Sequence, residues 1–207
     1  MSSDMWDVFE GIENVRATSD STYFEPGRYI VKIDAVQFDK DRNKIEMFIV
    51  RTTVLAVLGT EHDLEGNPVV PNAVGTNPSI VHKNGGKSLE MFLPNVKAFV
   101  AAAAGVSPSI VTMKDIADCA NNEPGATMEW PRGSGTRVKL AVQPVAGAVL
   151  EVNARMVRKV RSEGVITKVV WTRLVPPSQL LTMVDENVLA RHFDLDELKA
   201  AAEAPTA

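Results

Sequence analysis

The segment from Thr136 to Val175, TRVKLAVQPVAGAVLEVNARMVRKVRSEGVITKVVWTRLV, carries the clearest strand pattern in this chain. In its first run, Val138 and Leu140 alternate with Arg137 and Lys139. Successive side chains of a strand point to opposite faces, so this run has one apolar face and one basic face. The middle run alternates in the same way, with one apolar parity made of Leu150, Val152, Ala154 and Met156.

A turn signal divides the middle run of this segment from its last run. Ser162, Glu163 and Gly164 form that signal, and the strand-like run VITKVVWTRLV follows. The pattern predicts a β-hairpin with a basic tip and one basic face.

The charge of this region differs from that of the chain as a whole. The chain has 207 residues and a formal net charge of -4, whereas the stretch from Arg132 to Arg173 holds nine bases and two acids. A concentration of bases on one sheet predicts an anionic partner. The alternative, weighted equally on charge alone, is that these bases keep the solvent face of the strands soluble and prevent edge-to-edge aggregation.

Length and composition favour one globular domain with additions. The only cysteine, Cys119, excludes an internal disulfide and indicates a buried structural thiol in a reducing compartment. No apolar run reaches the ~18 residues that span a bilayer, and the N-terminal residues lack a signal-peptide pattern. We therefore expect a soluble, cytoplasmic protein without membrane contact.

The order of patterns along the chain predicts three parts. Residues 1–22 form a helical arm, which packs on the domain or, as the less favoured alternative, docks on a second subunit to give a homodimer. Residues 23–177 form a β-domain with a long loop excursion over residues 59–86. Residues 178–207 form an acidic helical tail, either a simple cap or a competitor of an anionic ligand for the basic sheet.

Within the β-domain, the runs RYIVKIDAVQF and IEMFIVRTTVLAVL predict the first two strands, and the second is apolar on both parities. SLEMFLP predicts a further strand or strand end. A helix is predicted from Pro94 to the stop signal Gly105, and Thr112 with Asp115 predicts a capping box for another helix. This order is typical of the OB-fold, a mainly β, five-stranded Greek-key barrel with a helix after the third strand.

No catalytic or cofactor motif accompanies this predicted fold. The chain lacks a phosphate-binding loop before a helix, a dinucleotide-binding glycine pattern, and the zinc, CxxC and GxSxG signatures. His62 stands beside Asp63 and Glu65, but no ligand spacing recurs, so no metal and no cofactor are predicted. An enzyme is the least favoured class.

Four stretches resemble bacteriophage replication-module proteins that are similar to single-stranded-DNA-binding proteins. They are EPGRYIVKIDAV, MFIVRTTVLAVL, KSLEMFLPNVKAFVAAAAG and KVVWTRLVPP, and the similarity covers Phe24 to Pro177. The resemblance implies an OB-fold and the coating of single-stranded DNA in phage replication or recombination, inside the host cytoplasm. It assigns no individual contact residue, and the excursion over residues 59–86 departs from a minimal barrel.

The predicted function is sequence-tolerant binding of single-stranded DNA, with bases on phosphates and aromatic rings stacked on nucleobases. Trp130, in a loop, is predicted to be exposed, whereas for Trp171 core packing is an equal alternative. Tyr29 is the least certain ring. The candidate binding residues are Arg137, Lys139, Arg155, Arg158, Lys159, Arg161, Lys168, Arg173, Trp130, Trp171, Tyr29, Lys83 and Lys87.

Two further expectations concern partners. The acidic tail predicts contacts with replication or recombination proteins, and its removal should tighten DNA binding if it folds back on the sheet. The alternative function is a β-rich virion or scaffold protein whose basic face binds another protein.

Overall fold

A computed structural model describes residues 23–84, 89–121, 123, 125–133, 136–141, 143–158 and 164–204. The predicted N-terminal arm, residues 1–22, lies outside them. The fold is mainly β, as predicted, with few helices. The strands are β1 (Gly27–Lys40), β2 (Glu46–Thr60), β3 (Ser79–Asn84), β4 (Thr127–Arg132), β5 (Thr136–Ala141), β6 (Val149–Arg158) and β7 (Val165–Leu174). The helices are α1 (Leu89–Ala104), α2 (Met113–Cys119), α3 (Pro177–Met183), α4 (Glu186–Leu189) and α5 (Leu195–Glu203).

Five strands form the main sheet, in the order β3-β2-β1-β6-β7, and β4 pairs with β5 in a separate hairpin. Every neighbouring pair in the main sheet is antiparallel. Because the number of strands is odd, the two edge strands β3 and β7 run in the same direction. The sheet is open between these two edges.

The inner face of the sheet forms the main core. Tyr29, Val31 and Ile33 point inward from β1, and a register shift between Ile33 and Ala35 then turns Val36 inward. A bulge inserts one residue and moves the later side chains of β1 to the other face, so Val36 and not Ala35 is buried here. Strand β2 lies between β3 and β1, and Val54 and Leu55, which have opposite parities, are both buried, as its apolar residues on both parities predict.

Helix α1 covers the inner face and packs against both edge strands. Phe99 stands at its centre, with ring centroids 5.7 Å from Phe48 and 4.8 Å from Trp171. The helix ends at Gly105, as predicted, with φ of +67°. The Gly105 amide donates to Ala102 and the Val106 amide to Ala101, which is the hydrogen-bond pattern of a glycine-terminated helix.

The start of α1 corrects the sequence interpretation. SLEMFLP was predicted as a strand, with the helix beginning at Pro94, but the helix begins at Leu89 and contains Pro94. Proline removes one backbone hydrogen bond from a helix interior. Here its ring is exposed and the rest of the helix is anchored by the buried Phe92, Val96 and Phe99, so tertiary packing outweighs the local signal.

The third strand also lies elsewhere than predicted. Strand β3, Ser79–Asn84, belongs to the stretch interpreted as a loop excursion, and in the described part of that stretch residues 61–78 are irregular. Asn72 fastens this loop to the start of β1, because its Oδ1 accepts from the Glu25 amide at 2.8 Å and its Nδ2 donates to the Tyr23 carbonyl at 3.2 Å. These two bonds hold the chain on both sides of Phe24.

Helix α2 and the β4–β5 hairpin are joined by a buried carboxylate. The capping box predicted at Thr112 and Asp115 is confirmed, and Arg137 of β5 adds two hydrogen bonds to Asp115, at 2.7 and 3.1 Å. Burial opposes the charge of Asp115, but the bonds from Arg137 and Thr112 outweigh it and hold the pKa of this carboxyl below its usual value. Cys119 is fully buried, which raises the pKa of its thiol, and the structural role predicted for it fits this position.

The C-terminal helices cover part of the outer face of the sheet. Leu180, Val184, Leu189 and Leu198 form a second apolar cluster with side chains of the sheet, among them Ile30 and Leu55. Of the two roles proposed for residues 178–207, the structure therefore shows the cap, and α3 begins one residue earlier, at Pro177. The open part of the outer face is the end of β6 and β7 away from these helices.

Candidate nucleic-acid interface

Two bases face each other on the exposed end of the β6–β7 hairpin. Arg155 and Lys168 are directly opposed across the strands, and both side chains are exposed. Neither forms a hydrogen bond or ion pair with any residue that the structure describes. Arg158, also exposed, lies three residues further along β6 and opposite Val165, so strand alternation places it on the other face from Arg155. These three bases, Arg155, Arg158 and Lys168, are called the hairpin bases below.

The opposition of Arg155 and Lys168 has an energetic cost. Like charges directly across an antiparallel pair destabilise it, whereas opposite charges add roughly 0.2–1 kcal/mol. An anion placed between the two side chains would reverse the sign of this interaction. The pair therefore leaves two neighbouring positive charges on this part of the sheet that an anion could neutralise.

Three predicted phosphate contacts are instead occupied within the protein. Arg137 binds the buried Asp115, and Arg173 binds Glu151 at 2.9 Å and also contacts Gln179. Lys83 pairs with Asp41 at 3.2 Å. Arg137 is committed to its carboxylate, so its assignment as a free phosphate contact is wrong, because the sequence does not show that Asp115 lies beside it.

The other predicted bases divide by position. Lys139 is exposed on β5, in the separate hairpin rather than on the main sheet. Lys87, Lys159 and Arg161 lie outside the described residues, so their predicted roles remain predictions. The turn between β1 and β2 adds three exposed bases that the sequence interpretation did not select, Lys40, Arg42 and Lys44.

The aromatic residues predicted to stack on bases are buried. Trp130 is 3% exposed and Trp171 is 8% exposed, so the predicted exposure of Trp130 is wrong and the core alternative for Trp171 is correct. Trp130 reaches the main core because its segment forms strand β4, which packs against α1 and α2, rather than a loop. Tyr29 is fully buried; its hydroxyl donates to the Glu25 carbonyl at 2.8 Å and accepts from the Asn72 amide at 3.1 Å.

Two other rings are available at the surface. Tyr23 is 72% exposed and Phe38, near the end of β1, is 46% exposed. Phe38 rests edge-on against Phe48, with 5.3 Å between ring centroids, and lines a shallow depression with Lys40. The sequence contained one indication that Tyr23 and Phe38 are exposed. Each ring lies at the end of an element beside polar residues, where it is difficult to bury both faces of the ring.

A groove of about 300 Å³ runs between the two open edges of the sheet. Its walls come from β3 and from β7, and Asn95 of α1 closes one side. Tyr23 and Lys168 both line it, so the exposed ring and one hairpin base meet at the same cleft. The described residues that line it are Tyr23, Phe24, Ser79, Ile80, Val81, His82, Asn95, Ile166, Thr167, Lys168 and Val169.

His82 is a partly buried titratable side chain of this lining. It lies opposite Phe48 in the β2–β3 register, and its Nε2 atom is buried without a hydrogen-bond partner in the described structure. Burial lowers the pKa of His82 to about 4. The imidazole is therefore neutral at physiological pH and adds no positive charge to the groove.

Comparisons with known proteins do not test the resemblance to phage single-stranded-DNA-binding proteins, which stays a prediction. No protein family and no curated protein matches this chain. Within the described ranges, no three histidine, cysteine or acidic side chains are arranged to hold a metal ion, and no helix has the length and apolar character needed to cross a membrane.

Proposed function

We propose that this protein binds single-stranded nucleic acid, DNA in the first instance, on an OB-like barrel that is open between β3 and β7. The observation that carries the proposal is the convergence of an exposed aromatic ring, Tyr23, and an exposed base, Lys168, at one cleft of the sheet. Binders of single strands combine a basic track for the backbone with rings on which bases stack.

The strand order supports the OB-like assignment. Strands β1, β2 and β3 follow one another as neighbours, and β6 returns by a long connection to lie beside β1, which is Greek-key order. Helix α1 follows the third strand and packs on both edges, as expected for a plug at the open seam of a small barrel. The β4–β5 hairpin is then an insertion between the third and fourth barrel strands.

The charge distribution indicates a path for the strand. Phosphates would lie along Arg155 and Lys168, because these two exposed side chains share one face of the sheet and have no acidic partner among the described residues. The nucleobases of the bound strand would turn toward Tyr23 at the groove. The end of the outer face covered by α3–α5 is excluded, since the apolar cluster there is already packed.

A salt-dependent titration tests this proposal. Fluorescence anisotropy of a dye-labelled oligo-dT should show binding whose log Kd rises with log salt, by about 0.7 per phosphate contacted. Lys168→Gln and Arg155→Gln should each weaken binding and reduce that slope by about 0.7. Intrinsic tryptophan quenching is the poorer readout, because Trp130 and Trp171 are buried.

The matched control is Lys139→Gln, which removes one exposed base from the separate β4–β5 hairpin. It should leave both affinity and slope unchanged. Equal losses in all three variants would show that net charge, and not the β6–β7 surface, determines binding.

A protein-binding role is the second candidate. Strand β7 is an open edge, and its residues Val165 and Ile166 are each 46% exposed. An exposed apolar edge strand is a template for pairing with another chain. No binding of any oligonucleotide at low salt would favour this role over nucleic-acid binding.

A further inference from the structure

We propose that the groove between β3 and β7 receives one unstacked nucleobase of the bound strand and reads its hydrogen-bonding edge. This inference rests on the proposed function and assigns a task to one part of that surface. The protein would then bind the nucleic-acid backbone through charge and, at this one site, would also recognise a nucleobase.

The walls of the groove suit a flat, partly apolar ligand. Phe24 and Ile80 are buried in its lining, and Val169 packs against the main core from β7. Tyr23 stands at the groove with most of its ring in solvent. Stacking of a base on an aromatic ring contributes about 1–3 kcal/mol and tolerates any base. The volume of about 300 Å³ is at the lower end of the range for small-ligand pockets.

Three polar side chains in the lining have no hydrogen-bond partner among the described residues: Ser79, Asn95 and Thr167. By contrast, nearby polar side chains with a structural role form hydrogen bonds within the protein. Thr52 donates to the Pro78 carbonyl at 2.7 Å, and Asn77 donates to Thr53 at 2.8 Å. Buried polar atoms are usually paired, and in this lining Nε2 of His82 is buried without a partner among the described residues. The polar atoms of Ser79, Asn95 and Thr167 reach solvent, so they are free to exchange hydrogen bonds with a ligand that enters the groove.

The same observations favour a base over a phosphate or a peptide. Among the described residues of the lining, Lys168 is the one cation and His82 is neutral, so the positive charge there is low for a buried phosphate. An extended peptide would need a continuous channel along the strand edges, but α1 closes the groove through Asn95. A compact ring with a polar edge fits this closed end.

The experiment compares oligo-dT with an oligomer of equal length in which every base is absent. Both carry the same phosphates, so the difference in affinity reports base contacts alone. Wild-type protein should bind oligo-dT at least ten-fold more tightly. Asn95→Ala and Thr167→Val should each weaken oligo-dT binding about three- to ten-fold, the value of one hydrogen bond, and leave the abasic oligomer unaffected.

Thr172→Val is the matched control, since Thr172 is exposed on the same strand and does not line the groove. It should change neither affinity, and Thr167→Ser, which keeps the hydroxyl, should retain binding. Equal weakening of both oligomers by the groove variants, or no weakening of either, would overturn the assignment of the groove.

The wild-type results separate this inference from the proposed function. Equal affinity for the two oligomers would leave the nucleic-acid proposal standing and show that the groove holds no base. Absence of binding to both would contradict the proposed function, and the groove assignment with it.

Discussion

At the scale of single residues, His82 makes the stability of the protein depend on pH. Its folded-state pKa of about 4 lies below the ordinary value of 6.5, so between these pH values the unfolded chain binds more protons than the folded one. The contribution of His82 to the unfolding free energy is therefore fully present above pH 6.5. It is lost as the pH drops toward 4, which lowers the unfolding free energy by up to about 3 kcal/mol. Urea unfolding followed by tryptophan fluorescence at pH 7, 5.5 and 4.5 measures this loss.

His82→Gln isolates the contribution of this side chain. The variant should lose most of the pH dependence between 6.5 and 4, although its stability at pH 7 can differ from that of wild type. His62→Gln, at an exposed histidine, is the control and should follow the wild-type curve. If His82→Gln has the same pH slope as wild type, the imidazole is not the group that titrates.

Residue-level predictions succeeded where the chemistry is local. The helix stop at Gly105 and the capping box at Thr112 depend on residues within a few positions, so the sequence contains the whole interaction. The environment of Trp130 depends on β4 packing against the core, and that of Arg137 depends on Asp115, 22 residues away. Such contacts are set by the tertiary fold, and no local pattern reveals them.

At the scale of elements, we expect the residues of the β6–β7 hairpin that bind DNA to lower the stability of the folded protein. Because Arg155 and Lys168 oppose each other, Lys168→Thr removes a repulsion and inserts a residue that favours strands. We expect the unfolding free energy to rise by about 0.2–0.5 kcal/mol at low salt, while oligo-dT affinity falls. Denaturant titrations at low and high salt measure the gain, which should shrink as salt screens the repulsion.

The control for this trade is Thr172→Val, which changes an exposed residue of the same strand without altering charge. It should affect neither the salt dependence of stability nor DNA affinity. A Lys168→Thr variant that is less stable than wild type at low salt would show that the lysine makes a favourable contact, and the two bases would then not mark a phosphate position.

Strands were predicted better than the elements around them. Alternation of apolar and polar side chains located β6, and runs rich in apolar and β-branched residues located β1, β2 and β7, because these strands contribute side chains to the core. Strand β3 was missed since glycine and proline on both sides of SIVHKN suggested one continuous loop. The first five residues of α1 were assigned to a strand because Pro94 was given more weight than the packing of Phe92.

At the scale of the whole molecule, the sequence predicted a mainly β protein with a helix after the third strand, and the structure has both. The concentration of basic residues in the sequence also identified the hairpin bases. The sequence could not locate the groove, because β3 and β7 are about 85 residues apart in the chain, and only the strand order brings their edges to one cleft. The aromatic that lines this cleft, Tyr23, precedes the first strand and carried no periodic signal.

The C-terminal helices offer a test that separates packing from charge. Leu189 is buried in the apolar cluster between these helices and the sheet, so Leu189→Ala should lower the unfolding free energy by about 2–4 kcal/mol. Removal of residues 178–207 would uncover Ile30 and Leu55 as well, and should lower the urea midpoint further. A tighter complex with DNA after that truncation would therefore not by itself identify electrostatic competition.

Neutralising the surface of α5 tests the competition alone. Asp196, Glu197 and Glu203 are exposed, and their carboxylates form no ion pair with any residue in the described ranges. If their field reaches the bound strand, the triple variant Asp196→Asn, Glu197→Gln, Glu203→Gln should bind oligo-dT about two- to three-fold more tightly at low salt, and equally at high salt because ions screen the repulsion. Its urea midpoint should fall less than that of Leu189→Ala, because the loss is limited to the favourable interaction of Asp196 and Glu197 with the N-terminus of α5, about 0.3–1 kcal/mol each. Unchanged affinity at low salt would mean that the acidic helices act on this protein through packing and not as a competitor for the basic surface.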